Sequence, residues 1–268
     1  MTKAITTPNN DFIAQWKERQ NYQEKLPVNY IKLINTKLSE DGKSFNPDFG
    51  KLFAVRYELD LNGEAKEIKT EIDIKKDSFF CLKQRVQIKC GKNDKTTGKP
   101  LYWAREVDMA EDYIELHDQT GEVVATDMYR NLKEKYDLKF NQALYIYFKG
   151  FVYRWTIGGS NLSAWFTMSK LINGALKQGR LITFKVAAIE EQQAEMNGQK
   201  APIFFNVLTF ATGEEDFNPE TAIKILDQVD ATLAKYYSKI KEDQKAKELE
   251  ATQEVVDVDY DTDLPFGN

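Results

Sequence analysis

Between Lys83 and Arg105 the chain sets Lys83, Arg85, Lys89, Lys92, Lys95, Lys99 and Arg105 against a single acid, Asp94, with Tyr102 and Trp103 just behind the densest part of the run. Those residue types suit a flexible polyanion with unpaired bases. Lys and Arg neutralise phosphates and release counterions, and a base stacked on Tyr or Trp contributes about 1–3 kcal/mol. The stretch Gly91-Lys92-Asn93-Asp94-Lys95-Thr96-Thr97-Gly98-Lys99-Pro100 reads as a hairpin tip, and Trp103 falls on the returning strand. The same lysines also fit a solvated loop that keeps an edge strand from aggregating, with Trp103 buried. A second run, Tyr145 to Trp155, carries Tyr145, Tyr147, Phe148, Phe151, Tyr153 and Trp155 around Lys149 and Arg154. Core burial is its default reading, because alternation sends half of a strand's side chains to each face. With Tyr145, Tyr147, Tyr153 and Trp155 on the solvent face, it forms a second stacking platform beside Arg154.

Other chemistries lack their parts. Gly98-Lys99 has Asn93 where a phosphate-binding loop needs Gly, and Pro100 where it needs Ser or Thr. Glu67-Ile68-Lys69 and Asp73-Ile74-Lys75, with Asp60 and Glu71 nearby, imitate the carboxylate-x-lysine of metal-dependent nucleases, but alternating charge on a wet strand face generates such triplets by chance. His117 is the only histidine, and Cys81 and Cys90 form no CxxC pair, so no metal site or cofactor is expected. Two cysteines without a CxxC pair, the absence of a secretory apolar segment at the start and the absence of a membrane-length apolar run give the expectation of a cytoplasmic protein without membrane association.

Charge is distributed asymmetrically. Residues 242–268 hold nine acids against Lys245 and Lys247, a net of −7, so the first 241 residues stand at +2 within a whole-chain total of −5. A low pI therefore conceals a slightly basic body. The tail ends in Asp259-Tyr260-Asp261-Thr262-Asp263-Leu264-Pro265-Phe266-Gly267-Asn268, a ladder of carboxylates before a small apolar hook, which fits docking into a partner's apolar pocket with a basic rim. This ending resembles the acidic tails of bacterial and phage single-stranded DNA-binding proteins, which finish in Asp-Asp-Asp-Ile/Leu-Pro-Phe. The resemblance covers about eight residues, and the chain adds Gly267 and Asn268, so its terminal carboxylate does not belong to the Phe. For this sequence it implies a single-stranded DNA partner, recruitment of replication or recombination proteins through Asp259, Asp261, Asp263, Leu264, Pro265 and Phe266, and an OB-type antiparallel barrel.

The elements that must hold these residues are mostly strands. Alternation in 28–127 is broken by turn signals at Asp41-Gly42, Asn62-Gly63 and Thr120-Gly121, and Asn62-Gly63 predicts a two-residue hairpin. Residues 128–139 read as a helical turn or two, and Gly150 permits a bend between two aromatic strands. Ser160 or Asn161 caps a helix with the stripe Trp165, Met168, Ile172 and Leu176, ending at Gly179. Strands follow at 181–189 and 203–210. Asn218-Pro219 opens a helix with Ile223, Leu226, Leu233, Tyr237 and Ile240 on one face, and a short helix is expected at 10–22. The expected architecture is a β-rich α+β body over 1–241, an OB-like barrel with added helices, followed by a disordered acidic tail over 242–268. The expected function is sequence-independent single-stranded DNA binding without catalysis. A strand-annealing recombinase, a metal-dependent nuclease and a protein-only adaptor are the alternatives.

Overall fold

The structure, a computed structural model, describes residues 29–35, 37, 45–60, 64–107, 113–194 and 203–234. The turn residues Asp41-Gly42 and Asn62-Gly63, the expected helix at 10–22 and the whole acidic tail lie outside the described residues.

The two aromatic runs form the centre. Leu138–Phe148 and Phe151–Gly158, here β8 and β9, pair antiparallel with Leu144 opposite Trp155 and Ile146 opposite Tyr153. They are joined by Lys149 (φ 46°) and Gly150 (φ 89°), both left-handed, as a tight hairpin turn with the twist of its strands requires. One face of this pair is largely apolar and buries Leu144, Ile146, Phe148, Tyr153, Trp155 and Ile157. Two covers seal it. The helix Asn161–Lys177 inserts Trp165 and Met168, and the long hairpin Ile182–Ala194 (β10) with Ile203–Asp216 (β11) contributes Phe184, Val186 and Leu208. Trp165 is wholly buried, edge-on to Phe184 and Phe210, and its indole N–H donates to the Gln84 side chain at 3.3 Å.

Around this pair lie β1 (Tyr30–Leu33), β2 (Leu52–Leu59), β3 (Ala65–Glu71), β4 (Phe80–Cys90), β5 (Trp103–Ala104), β6 (Tyr113–His117) and β7 (Val123–Met128). The nine strands run in the order β3-β2-β1-β9-β8-β4-β5-β6-β7, antiparallel except where Tyr30 of β1 meets Arg154 of β9 in parallel. The β-rich α+β class expected from the sequence is present. The pairing stops at β3 and at β7, so the described strands form an open mixed sheet and do not close into a barrel. A second core under the β4–β7 end gathers Val86, Ile88, Ala104, Ile114, Leu116 and Leu138 beneath Leu132 of the short helix Tyr129–Leu132, α1; the helix 161–177 is then α2.

Three local expectations shift. The β2–β3 hairpin forms, but Leu59 faces Ala65 and the Asp60 N–H donates to the Glu64 carbonyl. A two-residue turn at Asn62-Gly63 would instead put Asp60 opposite Ala65. Ser160 makes no side-chain cap on α2; the neighbouring Asn161 accepts from the Leu208 amide at 2.6 Å and so ties the helix start to β11. The last described helix, 219–234 or α3, is capped by Asn218 through the Thr221 amide, but it buries Ala222 and Val229 and leaves Ile223 61 % exposed. Ala222, Leu226, Val229 and Leu233 are the residues that share a face at helical spacing, and Ile223 lies one residue out of that phase.

Candidate nucleic-acid interface

The hairpin tip has defined geometry. Asp94 accepts from the Thr96 and Thr97 amides at 2.9 and 2.7 Å, the Gly98 amide returns to the Asp94 carbonyl, and Gly98 adopts φ 66°, which spares a side chain the left-handed strain. The Thr97 and Thr96 amides hold the Asp94 carboxyl below its ordinary range. Across from it, Asp118 organises the β6–β7 turn, and the Thr120 hydroxyl with the Glu122, Thr120 and Gly121 amides lowers its carboxyl in the same way. Gln119 joins the two turns: its side chain bonds to Thr97 and to the carbonyls of Lys99 and Pro100.

On this frame Lys89, Lys92, Lys95 and Lys99 are exposed, and none forms an ion pair with another described residue. Lys89 lies opposite Lys139 on β8 and opposite Trp103 on β5. Like charges directly opposite across a ladder are unfavourable, and Asp137 relieves only Lys139, at 3.0 Å. A bound phosphate would relieve the remainder. Trp103 is half-buried, its ring stacked on His117 at 4.7 Å and its indole N–H on the Asp118 carbonyl at 2.9 Å. Tyr102 packs edge-on against Tyr136. The rings are fixed by neighbours rather than left to rotate, which lowers the ordering cost of stacking a ligand on them.

The remaining sequence-predicted residues divide into other settings. Arg85 and Arg154 converge on Glu106. Arg154 donates to its carboxylate through Nε at 2.7 Å, Tyr145 donates its hydroxyl to the other oxygen at 2.7 Å, and Arg85 donates to the Glu106 carbonyl at 2.7 Å. Burial works against the Arg154 charge, but the Glu106 carboxylate overrides it and holds the guanidinium above its ordinary value. Tyr145 is buried, so it is not a stacking surface. Tyr153 and Trp155, 3 % and 2 % exposed, are corrected likewise: their face of β9 is the one covered by α2 and by β10–β11. Lys83 is tied to Asp230 of α3 at 2.7 Å, and Arg105 is half-buried. Tyr147 is half-buried and edge-on to Phe217, at the far end of β8 from the tip. Asp259, Asp261, Asp263, Leu264, Pro265 and Phe266 fall outside the described residues.

Two residues that matter here carry no local sequence signal. Glu106 neutralises an arginine 48 positions away, and Lys139 joins the basic end only through strand pairing. The carboxylates that imitate a nuclease are spread along the β3 edge: Glu67 accepts from Tyr57, Lys69 pairs with Asp48, Glu71 with Lys51, and Asp73 caps the turn to Asp77. Among the described residues no three His, Cys, Asp or Glu side chains group as a metal site, and no helix is long and apolar enough to cross a membrane. Cys81 and Cys90 are free and nine residues apart on one strand, about 30 Å, too far to bridge.

No protein-family model matches the chain, and no curated protein or solved structure matches it significantly.

Proposed function

We propose that the chain is a sequence-independent single-stranded DNA-binding protein, a binding module rather than an enzyme, that holds the strand without a cofactor and recruits replication or recombination proteins through its acidic tail. The observation that carries the reading is the β4–β5 tip, where Lys89, Lys92, Lys95 and Lys99 stand exposed, without ion-pair partners among the described residues, beside the anchored Trp103. Phosphates take the lysines, and a base takes the exposed part of the indole. The tail supplies the second half of the reading: Leu264, Pro265 and Phe266 behind Asp259, Asp261 and Asp263 make an anchor that a basic-rimmed apolar pocket on a partner protein accepts. The mechanism needs a charged tip and a ring platform on a rigid sheet, and it works on an open sheet as well as on the closed OB barrel that the tail resemblance implies.

The test is titration of the full chain with oligo-dT while intrinsic fluorescence is followed. Trp155 and Trp165 are buried, so quenching on binding reports chiefly on Trp103 among the described tryptophans, and Trp103→Ala removes it. No binding at low salt would discard the reading. Phe266→Ala, which keeps every tail charge, is expected to leave oligo-dT affinity in place and to reduce capture of partner proteins.

A further inference from the structure

The end of β4 away from the tip holds a second combination of rings and cations. Phe80 opens β4 and lies parallel to Phe217, centroids 4.1 Å apart and planes 6° from coplanar, while Tyr147, the register partner of Phe80, meets Phe217 edge-on at 5.5 Å. These rings wall a cleft of about 350 Å³ that Lys76, Lys149 and Lys185 also line. Three separate elements deliver the lysines: the turn before β4, the β8–β9 turn and β10. The left-handed backbone of Lys149 sets the direction in which its side chain leaves the turn. Each lysine has a carboxylate neighbour, Asp73 at 3.6 Å, Asp77 at 2.8 Å and Glu214 at 3.3 Å, but Lys76 and Glu214 are 83 % and 85 % exposed. The Lys76–Asp73 and Lys185–Glu214 pairs, open to water, are worth little and yield readily to a phosphate held by several cations at once, whereas Asp77 is only 10 % exposed and keeps Lys149 in place beside them. The volume lies at the small end of ligand sites, the size of one nucleotide rather than of a peptide segment.

We propose that this cleft seats one nucleotide of the bound strand, its base against Phe217 and Tyr147 and its phosphate among Lys76, Lys149 and Lys185. The assignment rests on the single-strand reading above. It adds a contact point separated from the tip by the length of β4, about 33 Å, or roughly ten nucleotides at duplex spacing and fewer when the strand is stretched. A free nucleoside monophosphate presents the same chemistry, so the experiment has an arm for each source.

Full-length protein, Lys76→Glu/Lys185→Glu, Phe217→Ala and Lys92→Glu/Lys95→Glu/Lys99→Glu are titrated with dT20 and with dTMP, and dT20 carrying 5-iodouracil is photocrosslinked to each. The lysine variant changes side chains at the cleft rim, so it reports on binding even if Phe217→Ala loosens the fold. Both cleft variants are expected to bind dT20 about tenfold more weakly, and wild type is expected to crosslink at Tyr147 or Phe217. Wild-type binding that depends on the tip lysines, is unchanged in the cleft variants and gives no crosslink in the cleft overturns this inference and leaves the single-strand reading standing. No dT20 binding by wild type overturns both. Binding of dTMP without a dT20 crosslink makes the occupant a free nucleotide and overturns the strand assignment. A cleft-variant effect that vanishes once residues 257–268 are deleted makes the occupant the acidic tail, which also overturns it.

Discussion

Strand β9 and the β4–β5 tip contain the same kinds of residue, aromatic rings interleaved with cations, and the fold uses them in opposite ways. On β9, Tyr153 and Trp155 point under α2 and the β10–β11 hairpin, and Arg154 on the other face is held by Glu106. At the tip, Trp103 is half-exposed, and four lysines stand without ion pairs among the described residues. What separates the two is what packs against each strand: β9 is covered by elements distant in sequence, whereas the tip is held at its edges, by the β6–β7 turn and by the Gly91 amide on the Asp137 carbonyl. Composition nominates a nucleic-acid surface, and burial decides between nominees.

The comparison breaks most visibly at Trp155. Trp155→Ala is expected to cost ~3–5 kcal/mol of stability, because a wholly packed ring leaves a cavity that its neighbours fill only in part. Denaturant unfolding measures the loss, and the molecules that remain folded should bind oligo-dT as wild type does. A stable variant with weakened binding would return Trp155 to the interface.

Glu106→Gln sharpens the contrast from the other side. Removing the carboxylate leaves Arg85 and Arg154 beside a neutral amide, at an expected cost of ~2–3 kcal/mol, less than the loss for a fully buried pair because Arg154 keeps a quarter of its side chain exposed. The Arg154 charge, no longer neutralised by a carboxylate, should also raise single-strand affinity at low salt, read in the same titration. A variant as stable as wild type would show that the arginines do not depend on Glu106.

These two sites also mark how far the sequence could be read. The strands at 144–157, the helix from 161 and the hairpin across 62 were legible because alternation, a glycine turn or an Asn start leaves a local trace. The faces were not. Leu144, Tyr145 and Ile146 are consecutive and all buried, so β8 is covered on both sides and alternation carries no information about which residues are wet. Ile223 differs for a related reason: its apolar type points to the buried face, and the small Ala222 occupies that face instead. At the tip, the lysines could be read directly from the run of charge, while Glu106 and Lys139 required the strand pairing.

A smaller effect separates the tip from β9 by pH. Asp94 and Asp118 hold the two turns through hydrogen bonds to their charged forms, and both carboxyls are lowered from 3.8 in the folded chain. Their contribution is fully present above that value and is lost as pH falls through the lower folded values. The Thr97 and Gly121 amides are expected to shift in NMR spectra over that acid range, whereas the amides of Tyr153 and Trp155 hold until the whole domain unfolds. Simultaneous shifts at both places would make the tip part of the global unit.

The claim that the tip lysines are the phosphate contacts is tested most directly by the salt dependence of oligo-dT affinity for wild type and for Lys92→Glu/Lys95→Glu/Lys99→Glu. Each phosphate contact on a single strand contributes about 0.7 to the slope of log affinity against log salt, so losing three should flatten the slope by about two and weaken binding at low salt, with the unfolding midpoint unchanged. An unchanged slope with an intact fold would contradict the account and move the interface away from the tip.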